Sequence, residues 1–404
     1  MMKGLIMKID TKKKCCACWA CVNVCPTNAI TMVGDEYGFL FPSINKNICI
    51  SCNSCEQVCQ IDAPVTGSVP SEVYALICMD KGLLARSSSG GAFGVLAKSI
   101  LQNGGAVIGC AFSDNFQVKH VVINETEQLD TLHGSKYVQS EIGNVLSIAK
   151  SLLDNDRQVL FSGTPCQIAG LKKYLSHDYE KLITVDLICH GTPSQKLFDD
   201  YITYLNKENK GLVTKYRFRA KKRNSNFIGY ADILKKNGTI TRKDIYWQTD
   251  PYNFLFMYGK TYRENCYSCA YANIKRIGDI TIGDYWGAES LGVPIDASAG
   301  VSLLTVNSDR GKQLFDTVSS EISKYTSSIE HAAKHNGQLT KPYEKPAERE
   351  QILKLWADRG FPALAEYVSL HNMKEVRQLK TEKIIQLIPR DVRKLLKRIV
   401  GSNH

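Results

Sequence analysis

Between residues 73 and 189, short apolar runs alternate with longer segments whose apolar residues recur at helical spacing. The strand-like runs are VYALICM, AVIGCAF, QVLFSG and LITVDLIC. The helical segments between them are GAFGVLAKSILQNG, GNVLSIAKSLLDN and QIAGLKKYLS. Strands that alternate with helices are typical of α/β domains, because each helix returns the chain to a parallel neighbouring strand. The pattern therefore predicts an α/β domain with a largely parallel sheet.

The pattern changes after this region. From Gly211 onward, alternating segments such as VTKYRFRAKK and GDITIGDYWG predict a more antiparallel second half. From about Pro346 the chain is helical in pattern and basic. Within that tail, IPRDVRKLLKRIVG has apolar residues at helical spacing and could lie on an acidic partner or an anionic membrane surface. A terminal helix that packs on its own domain is the alternative.

Composition and charge limit the classes of protein. A chain of 404 residues with 44% hydrophobic residues can bury a core without disulfide bonds. The formal net charge is +11, and residues 371–404 supply +6 of it, from nine basic and three acidic residues. No nucleic-acid-binding signature accompanies this charge. Neither a signal peptide nor an apolar segment of about 20 residues is visible, so we expect a cytoplasmic protein.

Fifteen cysteines in a chain of this size favour metal binding over a disulfide framework. Nine of them lie before residue 62, in the runs CCACWACVNVCP and CISCNSCEQVC. Each run has the spacing of two-cluster bacterial ferredoxins, in which the fourth cysteine binds the other cluster. Zinc also binds thiolates, but zinc knuckles use two CxxC pairs. The predicted ligands are Cys15, Cys18, Cys21 and Cys59 for one 4Fe-4S cluster, and Cys49, Cys52, Cys55 and Cys25 for the second.

Two positions depart from the ferredoxin pattern. Cys16 is separated from Cys18 by one residue rather than two, so the spacing favours Cys15 as the ligand and leaves Cys16 without a role. Gln60 stands where the second run would often have proline. Neither departure changes the prediction of two clusters.

The six other cysteines fall into two groups. Cys78 and Cys110 lie inside apolar, strand-like runs and are interpreted as small buried side chains. Cys166 and Cys189 follow predicted parallel strands, next to Gly-Thr-Pro, where α/β sheets place their ligand sites. Cys266 and Cys269 form a CxxC pair. Together with Cys166 and Cys189 they supply four thiolates.

Six segments between residues 73 and 317 are specific when taken together: SSSGGAFGVLAKSIL, GSKYVQS, FSGTPCQIAGLKKYL, CHGTPS, CYSCAYANIKRIGDITIGDYWG and GVSLLTVNSDRGKQLF. In these segments the chain resembles a known family, the beta subunits of coenzyme F420 hydrogenases and dehydrogenases. The resemblance implies an iron-sulfur flavoprotein that binds FAD, and some members carry an N-terminal two-cluster ferredoxin domain. It also implies that a third 4Fe-4S cluster beside the flavin is held by Cys166, Cys189, Cys266 and Cys269.

The residues suggest where FAD would bind. A Ser-Gly-Gly segment precedes a predicted helix, whose N-terminus can bind a pyrophosphate, although a simple helix cap is the alternative. Lys136 is a candidate partner for phosphate or for the flavin N1 and C2 carbonyl, with a solvated surface lysine as the alternative. His133 and His190 are interpreted as structural. The predicted cofactor-binding residues are Ser89, Gly90, Gly91, Lys136, Tyr137, Gln139, Ser140, Gly163, Thr164 and Pro165.

We therefore expect three parts: an α+β ferredoxin-like dicluster domain at 1–65, a flavin and iron-sulfur α/β domain at 72–345 divided near residue 150, and a basic helical tail at 346–404. The expected function is an oxidoreductase that moves electrons between a hydride donor or acceptor at FAD and 4Fe-4S clusters. Coenzyme F420 or another hydride carrier and a redox partner protein are the expected partners. The alternative is a non-catalytic electron-transfer subunit that serves a separate enzyme, with surface-glycan metabolism as one setting.

Overall fold

The computed structural model describes residues 14–61, 63–222 and 225–372. The predicted amphipathic helix after Pro389 lies outside this part of the chain. The first domain contains α1 (Ala20–Val24), β1 (Ile30–Gly34), β2 (Leu40–Ile44) and α2 (Ser54–Gln57). Strands β1 and β2 form an antiparallel pair. The first domain is therefore of the α+β ferredoxin-like type that the cysteine spacing predicts.

A left-handed backbone conformation flanks the second cysteine in both ferredoxin runs. Its positions are Ala17 and Trp19 in the first run and Ser51 and Asn53 in the second, with φ angles of 52°, 63°, 55° and 59°. Residues other than glycine adopt this conformation rarely. The repeat in the sequence is therefore also a repeat in the backbone.

The second domain consists of eleven strands and ten helices within the described ranges, besides short 3-10 turns. The strands are β3 (Glu72–Cys78), β4 (Ala106–Phe112), β5 (Val118–Ile123), β6 (Val159–Gly163), β7 (Leu182–Leu187), β8 (Gly211–Lys222), β9 (Ser225–Lys235), β10 (Ile240–Tyr246), β11 (Ile280–Asp284), β12 (Ser302–Val306) and β13 (Ile322–Ser327). The helices are α3 (Lys81–Arg86), α4 (Ala92–Gln102), α5 (Val145–Asp154), α6 (Pro165–Leu175), α7 (Gln195–Glu208), α8 (Pro251–Met257), α9 (Asp309–Thr317), α10 (Ile329–His335), α11 (Arg349–Arg359) and α12 (Phe361–His371).

The large sheet is mixed, with the strand order β13-β3-β12-β11-β7-β6-β4-β5. Only its central strands β11, β7, β6 and β4 form parallel pairs. Strands β5, β12, β3 and β13 join it in antiparallel pairs. The prediction of a largely parallel sheet is therefore wrong, because β3 pairs with the distant β12 and β13, and β5 pairs with β4 as a hairpin.

A second sheet, β8 to β10, is wholly antiparallel, as the VTKYRFRAKK segment predicts. The GDITIGDYWG segment behaves differently, because β11 pairs with β7 in parallel and with β12 in antiparallel orientation. Helices α11 and α12 bury Trp356 and Leu364 in the same apolar core as Tyr201 and Tyr252. Among the described residues, no helix is both long and apolar enough to cross a membrane.

The first domain packs directly on the second. Ala20 and Val58 of the first domain share an apolar core with Ile168 and Leu171 of α6. Burial of apolar surface is the main stabilising contribution to such a contact. The cysteine runs are therefore held against α6, whose first turn contains Cys166.

Candidate functional site

The second predicted set of ferredoxin cysteines lines one small cavity of about 60 Å³. The four side chains are those of Cys25, Cys49, Cys52 and Cys55. The cavity therefore unites three cysteines of the second run with the last cysteine of the first run. This is the crossed arrangement that the spacing predicts. Cys49 and Cys52 are exposed, so this set lies at the protein surface.

The first predicted set converges around Cys21. Burial raises the pKa of the Cys21 thiol above its usual value, and charges on Cys18, Cys15 and Cys59 raise that pKa further. Those three residues are the other predicted ligands of the first cluster. Cys55, a predicted ligand of the second cluster, also raises the pKa of Cys21. The two sets are therefore adjacent.

No group of three or more His, Cys, Asp or Glu side chains in residues 14–61, 63–222 and 225–372 is close enough to hold a single metal ion. A 4Fe-4S cluster binds its four thiolates through different iron atoms, so its ligands stand farther apart than those of one ion. Sets of four thiols that surround a common space are therefore the arrangement that fits a cubane cluster.

The third set of cysteines lines a much larger cavity of about 350 Å³, a volume in the usual range of cofactor sites. Cys166 lies in the first turn of α6, directly after β6, and Cys189 lies just after β7. Burial raises the pKa of Cys266 to about 11 and that of Cys269 to about 12. Burial also raises the pKa of Cys189, and charges on the other three cysteines add to the increase. The tertiary structure thus brings these four thiols together.

A buried arginine anchors the loop that follows the CxxC pair. The Arg276 guanidinium donates hydrogen bonds to the carbonyl oxygens of Tyr271 (3.2 Å), Asn273 (3.1 Å) and Leu187 (3.1 Å). It also forms an ion pair with the fully buried Asp186, at 3.3 Å. Leu187 ends the strand that precedes Cys189. Arg276 therefore fixes the two cysteine-bearing segments relative to each other.

Most of the predicted flavin residues line the same large cavity as the third cysteine set. The lining includes Ser89, Gly91, Lys136, Tyr137, Gln139, Ser140, Gly163, Thr164 and Pro165. The loop that contains Ser89 contacts the loop that contains Lys136, because the backbone N–H of Ser135 donates a hydrogen bond to Ser88 Oγ at 2.8 Å. Tyr137 stacks on Phe256, with ring centroids 4.2 Å apart.

Gly90 has a packing role instead. A Cβ atom at this position would lie 2.2 Å from the carbonyl oxygen of Leu76 and 2.4 Å from the backbone nitrogen of Ser302. Gly91 is the N-cap of α4 and has a φ of +90°, a backbone conformation that residues other than glycine rarely adopt. The Ser-Gly-Gly segment is thus shaped by the neighbouring strands as well as by the helix that it opens.

Lys136 is a half-buried side chain with defined partners rather than a solvated surface lysine. Its Nζ donates hydrogen bonds to the carbonyl oxygens of Leu132, His133 and Gly134, each at 3.2 Å. Burial lowers the pKa of Lys136, and the charge of Arg217 lowers it further. Its principal visible role is to hold this loop closed beside the cavity.

Basic residues at alternate positions of β8 surround the same loops, and sequence reasoning missed them. Arg217 donates to the carbonyl oxygens of Arg86 and His133, at 3.5 and 3.4 Å. Lys221 Nζ donates to the Ser89 carbonyl oxygen at 2.7 Å, and Arg219 lines the cavity. Burial, and then the charge of Arg219, lowers the pKa of Lys221 to about 8. The alternation of basic residues in VTKYRFRAKK was the available signal, since alternate strand residues share a face.

Two predicted turn residues are already engaged within the protein. The Thr164 backbone N–H donates to Gln167 Oε1 at 2.9 Å in a helix capping box, and Pro165 has no N–H. Neither residue therefore offers its amide to a cofactor. His133 and His190 line the cavity, and His133 Nε2 is buried without a hydrogen-bond partner in the described structure.

A buried network supports the cavity wall behind Ser140. Ser140 Oγ accepts a hydrogen bond from Gln167 Nε2 at 2.9 Å and donates to His120 Nδ1 at 3.0 Å. The other ring nitrogen of His120 donates to the Ser162 carbonyl oxygen, also at 3.0 Å. Burial lowers the pKa of His120 from 6.5 to about 4. His120 is therefore neutral at physiological pH.

This network predicts a pH-dependent stability. Between pH 6.5 and about 4 the unfolded chain binds a proton at His120 that the folded chain does not, so the free energy of unfolding falls as pH decreases. The expected loss is about 2 kcal/mol between about pH 7 and about pH 5. Urea unfolding at both pH values measures it. His120→Gln should lose this part of the dependence, and an unchanged slope would contradict the assignment to His120.

Direct hydrogen bonds join the first domain to the cavity wall. Arg263 is only 1% exposed and donates to the carbonyl oxygens of Cys15 (2.6 Å) and Leu40 (2.7 Å). Gln139 Nε2 donates to the Cys16 carbonyl oxygen at 2.9 Å. Gln60 Nε2 donates to the Cys166 carbonyl oxygen at 2.7 Å. Both domains therefore contribute to the region between the first and third cysteine sets.

Three comparisons relate the chain to known proteins. Residues 156–331 match the family described as the C-terminal part of the coenzyme F420 hydrogenase/dehydrogenase beta subunit, and residues 14–63 match a 4Fe-4S dicluster domain. One of the subunits of F(420)H(2) dehydrogenase from Methanosarcina mazei is 23% identical over 338 residues, which cover 80% of this chain and 87% of that protein. A ferredoxin-like protein in the nif region of Azotobacter vinelandii is 32% identical over 65 residues, 16% of this chain and 65% of its own.

Among solved structures, the chain is similar to part of the F420-reducing NiFe hydrogenase complex from Methanosarcina barkeri, with 19% identity and a TM-score of 0.43 over 79% of this chain and 94% of that chain. The matched segments define a class of iron-sulfur proteins in electron transfer. Residues 156–331 therefore resemble the C-terminal part of coenzyme F420 hydrogenase/dehydrogenase beta subunits, and residues 14–63 resemble a 4Fe-4S dicluster domain.

Proposed function

We propose that the chain is an iron-sulfur flavoprotein oxidoreductase that passes electrons between FAD and three 4Fe-4S clusters. The observation that carries this proposal is one cavity of about 350 Å³ lined both by the third cysteine set and by the predicted flavin loops. FAD supplies hydride chemistry and divides an electron pair into the single electrons that clusters carry.

The proposed pyrophosphate site is the Ser87–Gly91 segment at the N-terminus of α4. The helix dipole and its backbone N–H groups favour an anion at this end. Arg217 and Lys221 of β8 contact this segment or the loop beside it, so their positive charge adds to the potential. The lowered pKa values of Lys136 and Lys221 also support an anion site here, since a bound dianion would favour the protonated forms of both lysines.

The three cysteine sets suggest an order for electron transfer. The third set lines the cavity, the first set lies next to it across Gln60 and Arg263, and the second set reaches the surface at Cys49 and Cys52. A cluster at the surface can exchange electrons with a partner, whereas a buried cluster cannot meet one directly. We therefore propose that a redox partner protein contacts the surface around the second set.

The hydride carrier is proposed from the family relationship alone. Coenzyme F420 is the first candidate, because the related Methanosarcina mazei protein is named as part of an F(420)H(2) dehydrogenase. A second candidate function is that of an electron-transfer subunit without its own substrate, which is favoured because the same relative is one of several subunits of its enzyme. The setting of surface-glycan metabolism receives no support from these relatives.

Mixing experiments on the anaerobically purified full chain separate the two candidates. Reduced F420 and NADH are each added to the oxidised protein, and the visible spectrum is followed. Bleaching of flavin and cluster absorbance by either donor, without an added acceptor, is the expected result for an enzyme. Reduction by dithionite alone would favour the non-catalytic alternative. A protein without flavin absorbance that binds no added FAD would contradict both the cofactor and the enzyme proposals.

A further inference from the structure

Arg263 is a buried cation at the junction of the two domains. It is only 1% exposed. Its guanidinium donates hydrogen bonds to the carbonyl oxygens of Cys15 at 2.6 Å and Leu40 at 2.7 Å, and to Gln139 Oε1 at 3.2 Å. It also lies over the ring of Phe41, 4.4 Å from the centroid. All of these partners are uncharged groups, which satisfy the donors without neutralising the positive charge.

The lack of a carboxylate partner sets Arg263 apart. The three other arginines that are buried in the described part of the chain each form an ion pair with a carboxylate; they are Arg219, Arg276 and Arg349. Among the residues that the structure describes, no carboxylate forms an ion pair with Arg263. Burial of a charge without a counter-charge is costly. The guanidinium therefore calls for an anion other than a carboxylate.

Predicted cluster ligands adjoin Arg263 in both domains. The carbonyl oxygen that accepts from its Nε belongs to Cys15, a predicted ligand of the first cluster. Arg263 directly precedes the 3-10 turn Glu264–Ser268, which contains Cys266 of the third set. The Cys266 backbone N–H donates to the Arg263 carbonyl oxygen at 3.0 Å. Arg263 also lines the large cavity together with the third set, so one cation adjoins both sets.

Iron-sulfur clusters would supply the missing negative charge. A 4Fe-4S cluster with four thiolate ligands is anionic, and it becomes more negative when it accepts an electron. A guanidinium keeps its positive charge throughout the physiological pH range. Opposite charges attract strongly where water is excluded. A buried arginine beside a cluster therefore stabilises the reduced state and makes the reduction potential less negative.

We propose that Arg263 is the shared counter-charge of the first and third clusters and raises the reduction potentials of both. This role rests on the cluster assignment of the proposed function. When one electron passes between the two clusters, one cluster is oxidised and the other is reduced, while Arg263 exchanges no electron and no proton. Because the same cation acts on both clusters, loss of its charge should move both potentials in the same direction.

Three variants of the full, anaerobically purified chain test this role. Arg263→Gln removes the charge and keeps an amide that can donate hydrogen bonds, whereas Arg263→Lys keeps the charge. Arg349→Gln is the matched control, because Arg349 is also buried and donates to a carbonyl oxygen, that of Tyr262, at 2.7 Å. The measurements are iron content and the midpoint potential of each cluster, followed by electron paramagnetic resonance. The wild type and all three variants are expected to contain about twelve iron atoms per chain.

In Arg263→Gln the potentials of the first and third clusters should both become more negative. The second cluster should shift less, because its ligands Cys49 and Cys52 are exposed and water screens the charge. Arg263→Lys should remain near the wild-type potentials. Arg349→Gln should shift the potentials less than Arg263→Gln, because the carboxylates beside Arg349 already offset its charge.

Full iron with unchanged potentials in Arg263→Gln would overturn the proposal and leave Arg263 as a structural link between the domains. Equal shifts in Arg263→Lys or in Arg349→Gln would also overturn it, since the charge at this position would then not be the cause. If Arg263→Gln loses iron, Arg263→Lys decides: full iron at wild-type potentials supports the counter-charge, whereas lost iron or lowered potentials overturn it. A wild-type content of about eight iron atoms is a separate result, which would remove the third cluster and the proposed function with it.

Discussion

Cys189→Ala is expected to lower the iron content of the anaerobically purified chain from about twelve to about eight atoms, with an equal loss of sulfide. Cys189 is one of the four predicted ligands of the third cluster on the wall of the large cavity, and alanine supplies no thiolate at its position. A cubane cluster that loses one of four thiolate ligands is destabilised. Iron and acid-labile sulfide analyses measure the loss directly.

The controls separate the third cluster from the ferredoxin pair. Cys78→Ala truncates a buried cysteine of β3 to the same extent and should retain about twelve iron atoms. Cys52→Ala should lose a ferredoxin cluster and keep the third, which electron paramagnetic resonance can distinguish. A wild-type content of about eight iron atoms that Cys189→Ala leaves unchanged would contradict the assignment.

Ser88→Glu is expected to weaken FAD binding by roughly a hundredfold to a thousandfold relative to Ser88→Gln. Ser88 lines the cavity, and its hydroxyl accepts the Ser135 N–H within the proposed pyrophosphate site. Two like charges about 4 Å apart cost about 4 kcal/mol at an effective dielectric constant near 20. Each 1.4 kcal/mol, roughly, is a tenfold change in affinity. Flavin fluorescence titration of the flavin-depleted protein measures the dissociation constants.

The neutral glutamine variant is the matched control because it has the same size and loses the same serine hydroxyl. Equal affinities of the two variants for FAD would place the pyrophosphate elsewhere. Substitutions of Gly91 are less informative, since any side chain there meets Cys78 and Leu83 at a φ of +90°. A loss of FAD in Gly91→Glu would therefore not separate charge from backbone strain.

Much of the second domain's secondary structure follows from local pattern. The run AVIGCAF is strand β4, and the predicted helix GAFGVLAKSILQNG is observed as α4. Periodicity succeeds here because a strand or helix must turn one regular face to the core. The sheet as a whole was predicted less well, since the pairing of β3 with β12 and β13 joins residues far apart in the chain.

In the candidate site, too, local pattern predicts some features, whereas others depend on tertiary packing. The sequence predicts Lys136 as a cation for the cofactor, whereas in the structure its Nζ donates hydrogen bonds to three carbonyl oxygens of its own loop. Local pattern assigns Arg217, Arg219 and Lys221 only to an alternating, antiparallel segment. Only the packing of β8 against the two cavity loops gives these residues a place in the site.

The cysteines at the spacing of two 4Fe-4S clusters can be recognised without a structure, because ligand spacing on a tight loop is a local property of the chain. The sequence also places Cys166 and Cys189 at strand ends, where an α/β sheet binds its ligands. Only the tertiary structure shows that Cys16 is buried and lines the large cavity. Burial and hydrogen bonding at that position depend on α6 and on Gln139, which are distant in sequence from the run that contains Cys16.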